Sequence, residues 1–177
     1  MKTSCDTSTL STKALSTKAL VVGGLLFNGF WLLAVLGQND WIAVLACILI
    51  IVWWCFPAAV KMVLVTALAG SLMDGLLALT GVYRFESSFL PAWLILLWLG
   101  FATFVWFLRY NLARYPTLLV LLAGSVGGAG SYLAGKQLGA VSWPLGDTLT
   151  LLIVTTCWLA FSGLLLLWIR SCALKEV

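Results

Sequence analysis

The chain has 177 residues, of which 63% are hydrophobic and 9% are charged, and its formal net charge is +4. A water-soluble domain carries about 25% charged residues and at most about 50% apolar ones. The composition therefore excludes a soluble protein and predicts that lipid surrounds most of the chain. Because one helical crossing of a bilayer takes about 20 residues, the length leaves room for about six crossings and no sizeable soluble domain.

Histidine is absent from the sequence, which excludes serine–histidine triads and histidine-ligated zinc or haem. The five cysteines are scattered without a Cys-x-x-Cys pair, so neither a disulfide framework nor a metal cluster is expected. The basic residues are singly spaced and form no patch of the kind that binds nucleic acid. We therefore expect no cofactor, no metal, no nucleic-acid partner and no enzymatic activity.

The predicted elements follow from apolar runs separated by turn-forming and charged residues. Residues 1–18 are polar, contain a tandem STKAL repeat, and predict a cytoplasmic leader. Residues 19–170 predict a transmembrane domain, and 171–177 a cytoplasmic tail. The expected fold class is all-α, a polytopic membrane protein with about six transmembrane helices. The predicted helices are Ala19–Leu36, Trp41–Phe56, Val60–Thr80, Leu90–Leu108, Thr117–Leu133 and Thr148–Ile169.

The distribution of lysine and arginine predicts the orientation. With six crossings, one side of the membrane holds only two basic residues, Arg84 and Lys136. Cytoplasmic loops carry the excess of basic residues in membrane proteins, so both termini are predicted to be cytoplasmic. The eight residues on that side are Lys2, Lys13, Lys18, Lys61, Arg109, Arg114, Arg170 and Lys175.

The fifth predicted helix carries a stripe of small residues, Gly124, Gly128, Ser131 and Gly135, spaced by four, three and four positions. Such a stripe lets a second helix approach closely and gain dispersion contacts, since lipid supplies no hydrophobic drive between helices. Packing inside the bundle is the favoured interpretation. A docking face for a partner membrane protein is the alternative.

Asp74 is an acidic residue inside the third predicted helix, about 10 Å below its outer end at 1.5 Å per residue. Ionisable groups within a membrane are costly, so they are candidate functional residues. Helical spacing places Ala67, Gly70 and Ser71 on the same face, which indicates that the acid points into the bundle. Arg84 follows this helix closely and is the predicted cationic neighbour. A structural inter-helix hydrogen bond and a ligand-binding role both remain open for Asp74.

Three further residues are candidates for a ligand pocket in the outer half of the bilayer. Asn28 lies near the middle of the first helix, one turn before Trp31. Trp98 shares one face of the fourth helix with Trp106, so these rings either pack against lipid and other helices or form the wall of a cavity. The predicted ligand-binding set is Asp74, Asn28, Ser71, Arg84, Trp31 and Trp98.

Several short stretches resemble an uncharacterised family of small inner-membrane proteins of proteobacteria. They are Asn28-Gly-Phe-Trp31 with Val35-Leu-Gly37, Gly70-Ser-Leu-Met-Asp74 with Gly81, and Pro91-Ala-Trp93 with Leu97-Trp98 and Phe101. The resemblance implies a multi-pass protein of the bacterial inner membrane whose role concerns membrane lipids. In length and topology the chain is also similar to the six-helix substrate-binding subunits of energy-coupling-factor vitamin transporters and to small cell-shape membrane proteins.

These features favour a membrane subunit that binds or transports a small molecule or lipid, with membrane lipids and a possible partner membrane protein as its contacts. The alternative is a scaffolding subunit that docks through the glycine-rich helix. A lipid-modifying enzyme is the least favoured hypothesis, because the sequence offers no activated nucleophile and no paired carboxylates.

Overall fold

The computed structural model describes residues 14–86 and 90–173. Most of the predicted leader and the end of the predicted tail lie outside this range. The described part is almost wholly helical, with one isolated antiparallel bridge between Arg84 and Ser142. Its α-helices are α1 (Thr17–Gly37), α2 (Ile42–Cys55), α3 (Val60–Leu79), α4 (Ala92–Arg114), α5 (Thr117–Gln137) and α6 (Asp147–Ala173), and 3-10 turns at Gln38–Trp41 and Pro57–Ala59 flank α2.

The helices begin and end where local chemistry requires it. Ser16 caps α1 by accepting a hydrogen bond from the Ala19 amide at 3.3 Å, and α1 ends where Gln38 takes a positive φ of 43°. The largest departure from the predicted bounds is α4, which continues six residues past Leu108 to Arg114. The polar residues after Leu108 predict a loop, whereas the helix stops only ahead of Pro116, which disfavours helix at the preceding residue.

Within the described residues, five helical stretches are long and apolar enough to cross a membrane, so the chain is a membrane protein with transmembrane helices. Six crossings were predicted. The counts differ because α1 and α2 are separated by a single 3-10 turn and together form one 39-residue stretch. The stretches are Thr17–Cys55, Pro57–Leu79, Ala92–Arg114, Thr117–Gln137 and Asp147–Cys172.

Contacts with α4 show that α1 and α2 run in opposite directions. Just before α1, the Leu15 amide donates to the Asn111 side chain at 2.9 Å, near the C-terminal end of α4. Just after α2, the Phe56 ring packs edge-on against Phe107 with centroids 5.0 Å apart. The start of α1 and the end of α2 therefore lie at the same end of α4, and the chain reverses at the turn between them.

The helices pack around α4, which contacts α1, α2, α3 and α6, while α5 packs mainly on α6. Aromatic rings fill the centre. Trp98 of α4 stacks on Trp158 of α6 with centroids 5.4 Å apart and planes at 12°. This packing places charged residues at the two ends of the bundle. The basic end carries Lys18, Lys61, Arg109, Arg114 and Arg170, and the mixed end carries Asp40, Arg84, Glu86, Lys136 and Asp147.

Candidate functional site

Asp74 is completely buried and accepts three hydrogen bonds from neutral side chains. Its Oδ1 accepts from the hydroxyls of Tyr83 at 2.6 Å and Tyr132 at 2.5 Å. Its Oδ2 accepts from the indole N–H of Trp98 at 2.7 Å. A carboxylate is an acceptor without donors of its own, so three donors match its chemistry. The Asp74 cluster, meaning these four residues, joins α3, the α3–α4 loop, α4 and α5.

Two glycines allow this cluster to form. A Cβ on Gly70 would overlap the Trp98 ring, so the indole can lie against α3 only because that position lacks a side chain. Gly81 has a φ of 77°, a left-handed conformation that favours glycine. This residue ends α3 and turns the chain so that Tyr83 returns over the helix end to reach Asp74.

Tyr83, rather than the predicted Arg84, covers Asp74. Arg84 is exposed, and its backbone pairs with Ser142 through hydrogen bonds of 2.9 and 2.8 Å. Within residues 14–86 and 90–173, no cation forms an ion pair with Asp74. Burial is the largest cause that raises the pKa of Tyr83, and the negative charge of the neighbouring Asp74 carboxylate raises it further. Tyr83 is therefore held as a neutral donor.

A cavity of about 820 Å³ lies between α1 and α5, with α4 and α6 at its base. We call it the α1–α5 groove. None of the described residues that line it is charged, and most are aromatic, aliphatic or glycine. The groove opens at the protein surface, because Asn28, Gly127 and Gly130 line it and are exposed.

The glycines of α5 serve two different surfaces. A Cβ on Gly124 would overlap the Ser162 side chain, and one on Gly128 would overlap the Trp158 indole, so these two positions bring α5 close to α6. A Cβ on Gly127 or Gly130 would meet nothing within 4 Å. These last two positions leave the wall of the groove without side chains.

The other members of the predicted small-residue stripe contribute less to this contact. The Ser131 hydroxyl donates to the Gly128 carbonyl of its own helix at 2.7 Å. Gly135 lies near Val141 in the α5–α6 connection, where an added Cβ would be 3.8 Å from that side chain. All four stripe residues also border the α1–α5 groove.

Only half of the predicted ligand-binding residues line the groove. Asn28, Trp31 and Trp98 line it, whereas Ser71, Arg84 and Asp74 do not. The Asn28 amide donates to the Gly24 carbonyl in its own helix at 2.9 Å. Asp74 lies behind Trp98 and Tyr132, both of which face the groove. A ligand-binding role for these residues stays a prediction.

Sequence reasoning missed Tyr83 and Tyr132. A buried tyrosine hydroxyl usually finds a polar partner, so Tyr132 inside an apolar helix was a signal that could have been paired with Asp74. For Tyr83 no comparable signal exists, because it lies in a loop beside a more conspicuous arginine. The distance from Asp74 to Tyr132, 58 residues along the chain, hides the pairing from any local pattern.

Comparisons of the sequence with curated proteins and with solved structures find no match. The similarity to energy-coupling-factor subunits therefore remains one of length and helix number. One family model, described as "Protein of unknown function (DUF2878)", matches residues 20–164. These residues run from the first turn of α1 into the second half of α6 and include the whole Asp74 cluster. The chain belongs to this uncharacterised family of unknown function.

Proposed function

We propose that the protein binds a hydrophobic small molecule or lipid in the α1–α5 groove. The observation that carries this proposal is the cavity of about 820 Å³, whose walls are uncharged and mostly apolar. Ligand pockets typically occupy roughly 300–1,000 Å³ and have mostly apolar linings. The groove follows α4 from Trp93 to Tyr115, a distance of about 33 Å at 1.5 Å per residue. That length is comparable to the hydrocarbon core of a bilayer, about 30 Å.

The proposal includes six crossings of the bacterial inner membrane with both termini in the cytoplasm. The antiparallel arrangement of α1 and α2 supports the count, since a 39-residue stretch that reverses direction supplies two crossings rather than one. The five basic residues at the basic end support the orientation. The groove then lies within the lipid layer with its long axis along the membrane normal.

Binding without catalysis fits the chemistry of the groove. The titratable side chains among its described lining residues are the tyrosines Tyr115 and Tyr132, and the hydroxyl of Tyr132 is already committed to Asp74. A transport-type role would depend on a partner that supplies energy. In this proposal the Asp74 cluster positions Trp98 and Tyr132, two residues of the groove wall.

The test fills the groove without touching the helix contacts. Gly127→Leu places a side chain in open space within the groove, and Gly75→Leu makes the same change in open space on α3, away from the groove. The protein is purified in mild detergent, and its bound lipids are counted by native mass spectrometry. We expect the wild type and Gly75→Leu to retain bound lipid and Gly127→Leu to lose it. Equal lipid content in all three proteins would refute the groove as the binding site.

A docking role through α5 is the second candidate. The observation that favours it is the exposed outer surface of α5, where Leu118, Leu122 and Val126 lie 68%, 51% and 69% exposed. A partner helix could cover this surface and enter the groove beside Gly127 and Gly130. Cross-linking in native membranes distinguishes the two functions. A stable complex with another membrane protein that Gly127→Leu abolishes, with no bound lipid in either form, would favour docking.

A further inference from the structure

A second, polar cavity adjoins the α1–α5 groove at the basic end. It has a volume of about 260 Å³ and is lined by Leu15, Thr17, Leu20, Asn111, Arg114 and Tyr115. We call it the Arg114 cleft. Tyr115 lines both cavities. An apolar channel and a polar cleft therefore meet at one residue, which is the shape that an amphiphile requires.

The cleft has a fixed base. Asn111 is only 7% exposed. Its amide accepts from the Leu15 backbone N–H at 2.9 Å and donates to the Leu15 carbonyl at 3.0 Å. This pair of hydrogen bonds ties the entry of α1 to the last turns of α4. The walls of the cleft are thereby held in place by both helices.

The charge around the cleft is positive. The acidic residues that the structure describes are Asp40, Asp74, Glu86 and Asp147, and none of them lies at the basic end. Two of the arginines at this end are engaged with neighbouring groups. The Arg109 guanidinium donates to the Trp106 carbonyl and lies over the Trp106 ring. The Arg170 guanidinium donates to the Thr117 hydroxyl and to the Tyr115 carbonyl.

Arg114 differs from both. It lines the cleft and is exposed, and its side chain makes no hydrogen bond or ion pair with any residue in the part of the chain that the structure describes. A guanidinium presents several donors in a planar fork that matches the oxygens of a phosphate or carboxylate. The cleft therefore offers an available cation beside the end of an apolar groove.

We propose that the groove and the Arg114 cleft together hold one anionic lipid, with an acyl chain in the groove and its phosphate-bearing headgroup on Arg114. This inference rests on the proposed function and specifies its ligand class. A free phosphate would leave the groove empty, whereas a lipid uses both cavities and passes Tyr115 where they join. The headgroup then lies at the bundle end where the basic residues are concentrated, as an anionic lipid at a cytoplasmic surface requires.

The experiment separates a specific site from the general positive charge of this end. Arg114→Gln and Lys61→Gln each remove one exposed cation at the basic end, but Lys61 lies in the first turn of α3 and does not line the cleft. The probes are phosphatidylglycerol and phosphatidylcholine with identical chains, and binding to the full-length protein in detergent is measured by native mass spectrometry. Thermal unfolding of each variant verifies that it is folded.

We expect the wild type and Lys61→Gln to prefer phosphatidylglycerol, and Arg114→Gln to lose that preference by about tenfold, the order expected when a charge-assisted hydrogen bond is removed. Arg114→Lys should retain part of the preference, because the charge remains without the fork. An equal loss in Arg114→Gln and Lys61→Gln would overturn the proposal in favour of general surface charge. Displacement of phosphatidylglycerol by millimolar inorganic phosphate alone would overturn it in favour of a phosphate site.

These outcomes are distinguishable from failure of the proposed function. If phosphatidylcholine binds the wild type but not Gly127→Leu, the groove holds lipid, and this conclusion does not depend on the result for Arg114→Gln. If Arg114→Gln leaves the headgroup preference intact while Gly127→Leu abolishes binding, the groove survives and the Arg114 cleft does not.

Discussion

Replacing Asp74 with alanine removes the acceptor of three buried hydrogen bonds at once, those from Tyr83, Tyr132 and Trp98. A buried donor left without a partner costs about 1–3 kcal/mol in soluble proteins, and inter-helix hydrogen bonds within membranes average about 0.6 with a maximum of about 1.7 kcal/mol. At about 1 kcal/mol for each donor, Asp74→Ala should lower the free energy of unfolding by about 3 kcal/mol. For a chain of this size that corresponds to a decrease in Tm of about 6–12 °C.

Substitutions that remove only part of this hydrogen-bond cluster should lower the stability by less than Asp74→Ala does. Tyr83→Phe or Tyr132→Phe removes one donor and leaves two on the carboxylate, so each should cost about 1 kcal/mol. Asp74→Asn keeps one acceptor oxygen but turns an amide donor toward another donor, and its Tm should lie between those of the tyrosine variants and Asp74→Ala. The two tyrosines share Oδ1, so their double variant should depart from additivity.

Thermal unfolding in detergent, followed by circular dichroism, measures this series. Asp147→Asn is the control, because Asp147 forms an ion pair with Lys136 but is 65% exposed, and an exposed pair contributes about 0–1 kcal/mol. A wild-type Tm for Asp74→Ala would refute the reasoning, since the three donors would then have no need of the carboxylate. If both Asp74 variants fold and both lose lipid binding, the carboxylate is required for function, through its charge or through acceptance by both of its oxygens.

Three further predictions concern packing, topology and pH. Gly128→Leu should lower the free energy of unfolding by about 1–3 kcal/mol, because its side chain would overlap the Trp158 indole; an unchanged Tm in detergent would contradict this. Reporter fusions after Lys136 and at Val177 should show opposite sidedness, and a periplasmic signal at Val177 would overturn the predicted topology. Because burial raises the pKa of Tyr83, the unfolded chain loses that proton above about pH 10 while the folded chain keeps it. Stability should therefore fall as the pH rises above about 10, and chemical denaturation of Tyr83→Phe should show a shallower fall.

The helices were largely predictable because lipid imposes a strong constraint on the chain. Three predicted helices, α1 to α3, begin and end within two residues of the observed bounds, since apolar runs and turn residues mark the limits directly. The exceptions are the C-terminal bounds of α4, α5 and α6, where the helix continues past Leu108, Leu133 and Ile169. Polar residues at a membrane surface continue a helix as readily as they end it, so polarity alone did not fix these bounds.

The interior of the site was predictable only in part. Asp74 stood out because an acid in an apolar helix is costly wherever it lies. Its partners depend on how helices meet in space, and proximity in the sequence favours the basic residue Arg84 over its neighbour Tyr83. The α1–α5 groove could not be predicted, because a cavity is defined by side chains that are absent as well as by those present, as Gly127 and Gly130 illustrate.

The hydrogen bonds of Asp74 also have a consequence for the biogenesis of the protein. Its three donors lie 9, 24 and 58 residues further along the chain, so all of them are synthesised after α3. An acid opposes insertion by the translocon, by about 2.5–3.5 kcal/mol at the centre of a helix and by less at Asp74, which lies five residues before the end of α3. We therefore expect α3 to enter the bilayer poorly on its own and to settle only when α4 and α5 arrive, which makes membrane integration of this chain a cooperative step rather than a helix-by-helix one.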